Sequence, residues 1–266
     1  MKIVVLSDLH LGGPGVAVNG LDPAARLAAA VDAINRDHAD AAFVAIAGDL
    51  ADRGEVAAYH SLRDLLTPLT MPCHITLGNH DDPEAFLSVF GVQLSDPMAR
   101  VSQAIDAGGY RVILLDTTTP GTHGGALCDG RRAWLADQLD KAADRPVIVI
   151  MHHHANVLSL PVDAIPLADG AAFARLLRRH PDVRMVISGH VHLPTAGVWH
   201  GIPMCTLAGS HYSVNAHLPG MAGAQARLEG PAQMAVVLAD DHGVTVHFQD
   251  YLPRHLELAS GLFDWG

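Results

Sequence analysis

Short apolar runs that end in polar clusters recur along the chain: Lys2–Leu6, Ala42–Ala47, His74–Leu77, Tyr110–Leu115, Pro146–Ile150 and Val183–Ile187. Their length and their content of β-branched residues predict strands. Between them lie stretches with apolar residues at helical spacing: Pro23–Asn35, Glu55–Leu66, Arg131–Ala142 and Gly170–Arg179. Gly54-Glu55 and Asp129-Gly130-Arg131 mark helix starts. Strands alternating with helices predict an α/β protein layered around a largely buried sheet.

Beyond Ile202 the pattern changes. Gln233–Leu238 and Val244–Gln249, joined around Asp240-Asp241-His242-Gly243, predict a β-hairpin that extends the sheet. The Gly/Ala-rich segment Leu218–Pro231 is expected to be a loop, and His255–Gly266 a tail. No repeat or linker appears, so residues 1–266 are expected to form one domain with its core in 1–212. The hairpin and the apolar edges of the C-terminal third are expected to contribute contacts in a homo-oligomer, a dimer or larger.

Composition narrows the function classes. A hydrophobic fraction of 49% in 266 residues is ample for a large core and excludes general disorder. Lys and Arg number 17 against 28 Asp and Glu, a formal net charge of −11. That balance argues against binding long nucleic acid through phosphate contacts. The densest basic cluster, Arg175, Arg178 and Arg179, reads as one face of a short helix. Cys73, Cys128 and Cys205 are far apart and odd in number, which fits neither a zinc knuckle nor a disulfide framework. The opening MKIVVLSDLHLGG reads as a buried strand and not as a signal peptide. No run of eighteen apolar residues appears, so no membrane span and a cytoplasmic location are expected.

Eighteen histidines stand against six phenylalanines and four tyrosines, and their positions matter more than their number. The strands stop at Ser7-Asp8-Leu9-His10, Gly48-Asp49-Leu50-Ala51-Asp52-Arg53-Gly54, Gly78-Asn79-His80-Asp81, Met151-His152-His153-His154 and Ser188-Gly189-His190-Val191-His192. In open α/β sheets, ligands gather outside the carboxyl ends of strands. Taken singly, Asp8-Leu9-His10 and Gly48-Asp49 read equally as turns, and His190-Val191-His192 as a solvated strand end. Their shared place after strands, in this order, argues for one rim of functional groups.

Those five blocks resemble the calcineurin-like metallophosphoesterase superfamily, whose pattern runs D-x-H, G-D, G-N-H-D/E, H and G-H-x-H. The likeness spans residues 8–192. Within the superfamily the chain is most similar to bacterial class III cyclic nucleotide phosphodiesterases and glycerophosphodiesterases. Leu115-Asp116-Thr117, Gly125-Ala126-Leu127 and Trp134-Leu135-Ala136-Asp137-Gln138-Leu139 resemble that group's strand, loop and helix. The fold implied is a layered αββα sandwich, mixed sheets flanked by helices, with a C-terminal β-hairpin extension.

Carried over residue by residue, the resemblance implies two divalent ions. Asp8, His10, Asp49 and His192 would hold the first, and Asp49, Asn79, His152 and His190 the second, with Asp49 bridging. Carboxylate, carboxamide and imidazole donors without thiolate suit Mn²⁺, Fe²⁺ or Zn²⁺. The activity implied is in-line attack by a metal-bridging hydroxide on a small phosphodiester, of the 3′,5′-cyclic nucleotide or glycerophosphodiester type. Phosphomonoester or phosphonate-ester hydrolysis on the same core is the alternative, and a non-catalytic scaffold a remote one.

His80 is then either the acid that protonates the leaving group, a contact to a phosphate oxygen, or a structural residue, with Asp81 orienting its ring. Asn79, His80 and His211 are candidate substrate contacts, though a loop histidine such as His211 can equally be only solvated. The fourth block departs from the group's usual H-H-P-P: here it reads His152-His153-His154-Ala155. His152 is the expected ligand, and His153 takes that place if the register slips by one. Otherwise His153 and His154 are expected to support the site or touch substrate.

Overall fold

The computed structural model describes residues 1–94, 100–230 and 232–252. Alternate residues of its first strand go to different cores. In β1 (Lys2–Leu6), Val4 and Leu6 face helices, while Ile3 and Val5 face a second sheet, and all four are wholly buried. A strand covered on both sides must be apolar at every position, which is why this segment shows no polar alternation.

The same division runs through the molecule. β1, β2 (Val44–Ala47) and β3 (Cys73–Thr76) pair in parallel, and the hairpin β12 (Gln233–Ala239) and β13 (Val244–Asp250) extends β1 on its other side. This sheet has the order β13-β12-β1-β2-β3. The second sheet contains β4 (Gln103–Ala107), β5 (Tyr110–Leu115), β6 (Val147–Met151), β7 (Val183–Ser188), β8 (Thr195–Trp199) and β9 (Ile202–Thr206), ordered β4-β5-β6-β7-β9-β8. Its inner strands β5, β6, β7 and β9 are parallel.

Helices α1 (Pro23–Asp37), α2 (Val56–Leu66) and α3 (Pro83–Phe90) cover the first sheet through Leu27, Ile34, Tyr59, Leu62 and Phe86. Helices α4 (Asp129–Asp140) and α5 (Gly170–Leu177) cover the second through Leu135, Leu139, Phe173 and Leu177. Between the sheets lies a third core, built from Ile3, Val5, Val112, Leu114, Ile148, Ile150 and Ile187. The architecture is therefore αββα, with mixed sheets flanked by helices, as the resemblance implies.

All six expected strands form, with ends displaced by up to two residues. The helical expectations also hold, although α4 begins two residues before Arg131. Helix α3 escaped the periodicity because it is only eight residues long, yet its start is written locally. The Asp82 carboxylate accepts the Ala85 amide, and Pro83 opens the helix. The predicted hairpin is present, its loop closed by Asp240 accepting the amides of His242 and Gly243.

Three expectations need correction, and one hairpin had not been anticipated. The unanticipated hairpin joins β8, largely exposed, to the buried β9. The segment 218–231 is not loop throughout, since β11 (Arg227–Leu228) pairs with β10 (Ser213–Val214). The three arginines do not share a helix face, because α5 ends at Leu177 and Arg178 is its cap. The strand exits also belong to two sheets, so the expected rim is a seam between them. The tail expected at His255–Gly266 lies outside the described residues. Among the described residues no helix is long and apolar enough to cross a membrane.

Candidate metal centre

The parallel strands of both sheets end on the same side, and their exits are stitched to one another. Asp8 donates its amide to the Gly48 carbonyl, Ser210 to Ser7, and His211 to Asp8. The backbone turns sharply here. Asp8, His10, Asp49, His190 and His192 all adopt positive φ, between 47° and 69°. That conformation costs a non-glycine residue about 1–2 kcal/mol, and such strain gathers at sites where the surroundings over-determine geometry. The glycines of the motifs meet a different demand. A Cβ on Gly78 would land on the Asp49 carboxylate, and one on Gly189 on the Ser7 hydroxyl.

The side chains so directed converge in two sets. Potential ligand atoms of Asp8, His10, Asp49 and His192 all lie within 4.8 Å of one another, and all four residues are buried. In this set the Nε2 atoms of His10 and His192 stand 3.3 Å apart, and His192 Nε2 lies 3.3 Å from Asp8 Oδ1. Beside it, His152 Nε2 lies 3.1 Å from Asn79 Oδ1, 3.2 Å from His190 Nδ1 and 3.3 Å from Asp49 Oδ1. Asp49 faces both sets: Oδ2 lies 3.6 Å from His10 Nε2.

The tautomers follow from the outer contacts. His152 Nδ1 donates to the Ala47 carbonyl at 2.9 Å, His190 Nε2 to Ile165 at 3.0 Å, and His192 Nδ1 to Tyr212 at 2.8 Å. A carbonyl only accepts, so each hydrogen is on that outer nitrogen and the neutral ring turns a lone pair inward. His10 Nδ1 stands 3.4 Å from the Asp52 carboxylate without a hydrogen bond, so no carbonyl fixes the tautomer of this ring. Imidazole lone pairs, two carboxylates and a carboxamide oxygen thus meet with no hydrogen between them. The residues relieve this with a proton. Burial lowers the His152 pKa, but Asp49, Asp8 and the Ala47 carbonyl outweigh it and raise it to about 9. Against its own burial, Asp49 is held well below the usual carboxylate range, chiefly by His152, then by His10 and His80. Burial together with the His152 charge pushes His190 well down. A divalent cation answers the same demand and satisfies every acceptor at once, so these Asp, His and Asn residues fit metal binding.

The surrounding residues take partners that differ from several expectations. Asp81 does not orient the His80 ring. Its carboxylate accepts the amides of Leu50, Ala51 and Gly78 and the Tyr59 hydroxyl, and so fastens the Asp49 and Asn79 loops together. His80 Nδ1 instead donates to the Asp52 carbonyl at 2.7 Å, leaving Nε2 4.0 Å from Asp49 Oδ2. His211 is wholly buried and donates Nε2–H to Val18, so it stands behind His10 and not on an open wall. His153 is buried with both nitrogens engaged, accepting from the Thr117 hydroxyl and donating to the His123 carbonyl. His154 Nε2 meets Asp163, whose carboxylate also accepts the amides of Leu158 and Leu160.

Sequence reasoning passed over Asp52, His123 and Tyr212. His123 comes from the loop after β5 and lies 3.4 Å from the Asn79 amide nitrogen. Tyr212 stacks on His192 at 4.0 Å between centroids. Asp52, three residues past the Gly48-Asp49 block, had a local signal; the other two are placed only by long-range packing.

The chain belongs to the calcineurin-like phosphoesterase family, whose profile matches residues 1–194. It is 38% identical to a probable cyclic nucleotide phosphodiesterase of Rhodopseudomonas palustris, over 83% of this chain and 84% of that protein. It is 30% identical to a glycerophosphodiester phosphodiesterase of Enterobacter lignolyticus, over 80% of this chain and 79% of the relative. The fold matches a dimetal phosphatase from Danio rerio with a TM-score of 0.65 at 17% identity, covering 94% of this chain and 98% of that one.

The Asp81 network yields a prediction. Asp81→Ala leaves three backbone amides and one hydroxyl without their acceptor, at about 1–3 kcal/mol for each buried group. A stability loss of about 4 kcal/mol or more in urea unfolding, with lowered metal uptake, is expected; an unchanged midpoint contradicts the fastening role.

Proposed function

We propose that the chain is a dimetal phosphodiesterase of small substrates, with 3′,5′-cyclic nucleotides and glycerol-type diesters as its substrate classes. The observation that carries this reading is the division of Asp49: Oδ1 lies toward His152 and Oδ2 toward His10, so one carboxylate serves both donor sets. Asp8, His10, Asp49 and His192 would hold one ion, and Asp49, Asn79, His152 and His190 the other. Mn²⁺, Fe²⁺ and Zn²⁺ all suit such nitrogen and oxygen donors. When bound, the two cations supply Lewis acidity that activates water and draws in phosphate oxygens.

The chain's own residues have separate tasks. His152 is favoured over His153 as ligand because both nitrogens of His153 are already engaged. With its Nδ1–H fixed on the Asp52 carbonyl, neutral His80 turns a lone pair outward on Nε2, so it can serve the leaving alkoxide as an acid only in its imidazolium form. Asn79 can ligate through Oδ1 and offer Nδ2–H to a phosphate oxygen. Asp81 positions Asn79 and His80 through the backbone, and His211 supports His10 from behind.

A cavity of about 650 Å³ opens over His190 and His192, a size suited to a small molecule. Together with the acidic net charge this supports a small diester over a polymer. Leu218, Met221, Leu228 and Leu238 are exposed on the C-terminal third and support assembly into a homo-oligomer.

The test is a Mn²⁺-supplemented panel of bis(p-nitrophenyl) phosphate, p-nitrophenyl phosphate, 3′,5′-cyclic AMP and sn-glycero-3-phosphocholine. Turnover of diesters over the monoester is expected, and Asp49→Ala should abolish it while the protein still folds. Turnover of the monoester alone would move the reading to a phosphomonoesterase. Asn79→Ala should lower metal content at one site, from two equivalents toward one, whereas equal loss at both sites would refute this ligand allocation.

Proton linkage gives a further expectation. His152 is protonated below its raised pKa of about 9 and must lose that proton to ligate. Mn²⁺ affinity should therefore rise between pH 6.5 and 8.5, by up to about tenfold per unit for each proton released, and level off above 9. Calorimetric titration across that range would expose a flat profile, which this linkage does not permit.

A further inference from the structure

Resting on the phosphodiesterase reading, we propose that Arg227 is a specificity-determining residue: it admits diesters of neutral, acceptor-rich alcohols and repels those of cationic alcohols. Arg227 is the one Lys or Arg among the residues lining the cavity over His190 and His192. Its guanidinium lies 5.3 Å above the centre of the Tyr212 ring. His192 stacks on the same ring at 4.0 Å and 12°. The Tyr212 ring is thus already engaged by a candidate ligand and by the chain's own cation.

Arg227 is held there by construction. It stands opposite Val214 in the β10–β11 ribbon. The Val214 amide donates to the His192 carbonyl at 3.0 Å, and the Tyr212 carbonyl accepts from the His192 ring. The base of the ribbon is tied down by Arg26, which donates to the carbonyls of Glu229 and Gly230 at 2.8 and 2.9 Å. Asn19 accepts from Arg227 Nη1 at 3.4 Å. Arg227 itself is exposed, and among the described residues no carboxylate forms an ion pair with it.

The consequence is chemical. An open aromatic face beside a phosphate site is where a quaternary ammonium would settle. Here the ring already has a guanidinium against it, so a choline or ethanolamine group entering the cavity meets repulsion. A guanidinium suits the opposite kind of group, because its planar fork donates to carbonyl, hydroxyl and ring-nitrogen acceptors and stacks on heteroaromatic faces. Of the two substrate classes left open by the metal centre, this favours the nucleoside-like alcohol over the cationic one.

The test compares wild type, Arg227→Ala and Arg227→Lys, all Mn²⁺-loaded, on 3′,5′-cyclic AMP and sn-glycero-3-phosphocholine, with bis(p-nitrophenyl) phosphate as reference. Arg227→Ala is expected to lower kcat/KM for cyclic AMP about tenfold through KM, leaving kcat within about twofold. It should leave the choline diester unchanged or improved, so that the ratio of the two shifts at least tenfold. Arg227→Lys should keep the exclusion of choline but not the full cyclic AMP affinity. Calorimetric binding of AMP and phosphocholine should show the same divergence without turnover. A ratio that stays within about twofold in Arg227→Ala, by turnover or by binding, overturns the proposal. Wild type inactive on all three diesters would instead overturn the phosphodiesterase reading itself.

Discussion

The structure depends on a concentration of electron pairs that the protein alone cannot satisfy. At the seam between the sheets, imidazole nitrogens, carboxylate oxygens and the Asn79 carboxamide approach one another at 3.1–3.6 Å. Such contacts between acceptors are unfavourable unless positive charge lies among them, and burial sharpens the cost. Backbone carbonyls on the outer side of His152, His190 and His192 prevent those rings from turning away. The fold thus holds the acceptors in opposition, so the binding energy of a cation is not consumed in assembling its ligands. The upward shift of His152 is the same demand expressed through a proton.

This explains why the site lies between two sheets and not at the edge of one. Strands β1 and β2 supply Asp8, His10 and Asp49 from one layer, and β6 and β7 supply His152, His190 and His192 from the other. A single flat row of strand ends would spread these groups over several strand spacings of nearly 5 Å each. Two facing rows bring them within ligand distance. The apolar core between the sheets fixes that spacing, and the His152–Ala47 and His190–Asp8 hydrogen bonds cross it. Positive φ at five of the converging residues is the local cost of turning side chains inward at the end of an extended strand. The long-range packing offsets it.

Much of this was legible in the sequence because its signals are local. Uniformly apolar strands announced sheets covered on both faces, and the polar blocks after them named the residues that converge. What escaped depends on partners distant in the chain. Which nitrogen of each histidine faces inward is set by carbonyls such as Ile165 and Tyr212, which no spacing rule connects to the rings. Asp81 looked like the orienter of its neighbour His80, yet its carboxylate takes the Leu50 and Ala51 amides while the His80 ring takes the Asp52 carbonyl. The absent prolines after His152-His153 are a clearer case. His154 and Asp163 hold the following loop by hydrogen bonds where fixed backbone angles would otherwise do so. A one-residue pattern comparison registers that exchange only as a departure.

Net charge provides the last step. A chain with eleven excess negative charges that draws in an anionic diester must do so by local fields, because the average field opposes it. The buried carboxylates at the seam are over-supplied with negative charge only while they lack their cations; with two divalent ions among them the sign reverses. The remaining acidic surface then becomes useful, since it weakens attraction for long polyanions whose many phosphates would each meet repulsion beyond the seam. On the reading proposed above, a single small diester would feel mainly the seam and the Arg227 guanidinium. A preference for small diesters would then follow from the contrast between a short-range positive centre and a longer-range negative surround, screened over roughly 8 Å at physiological ionic strength.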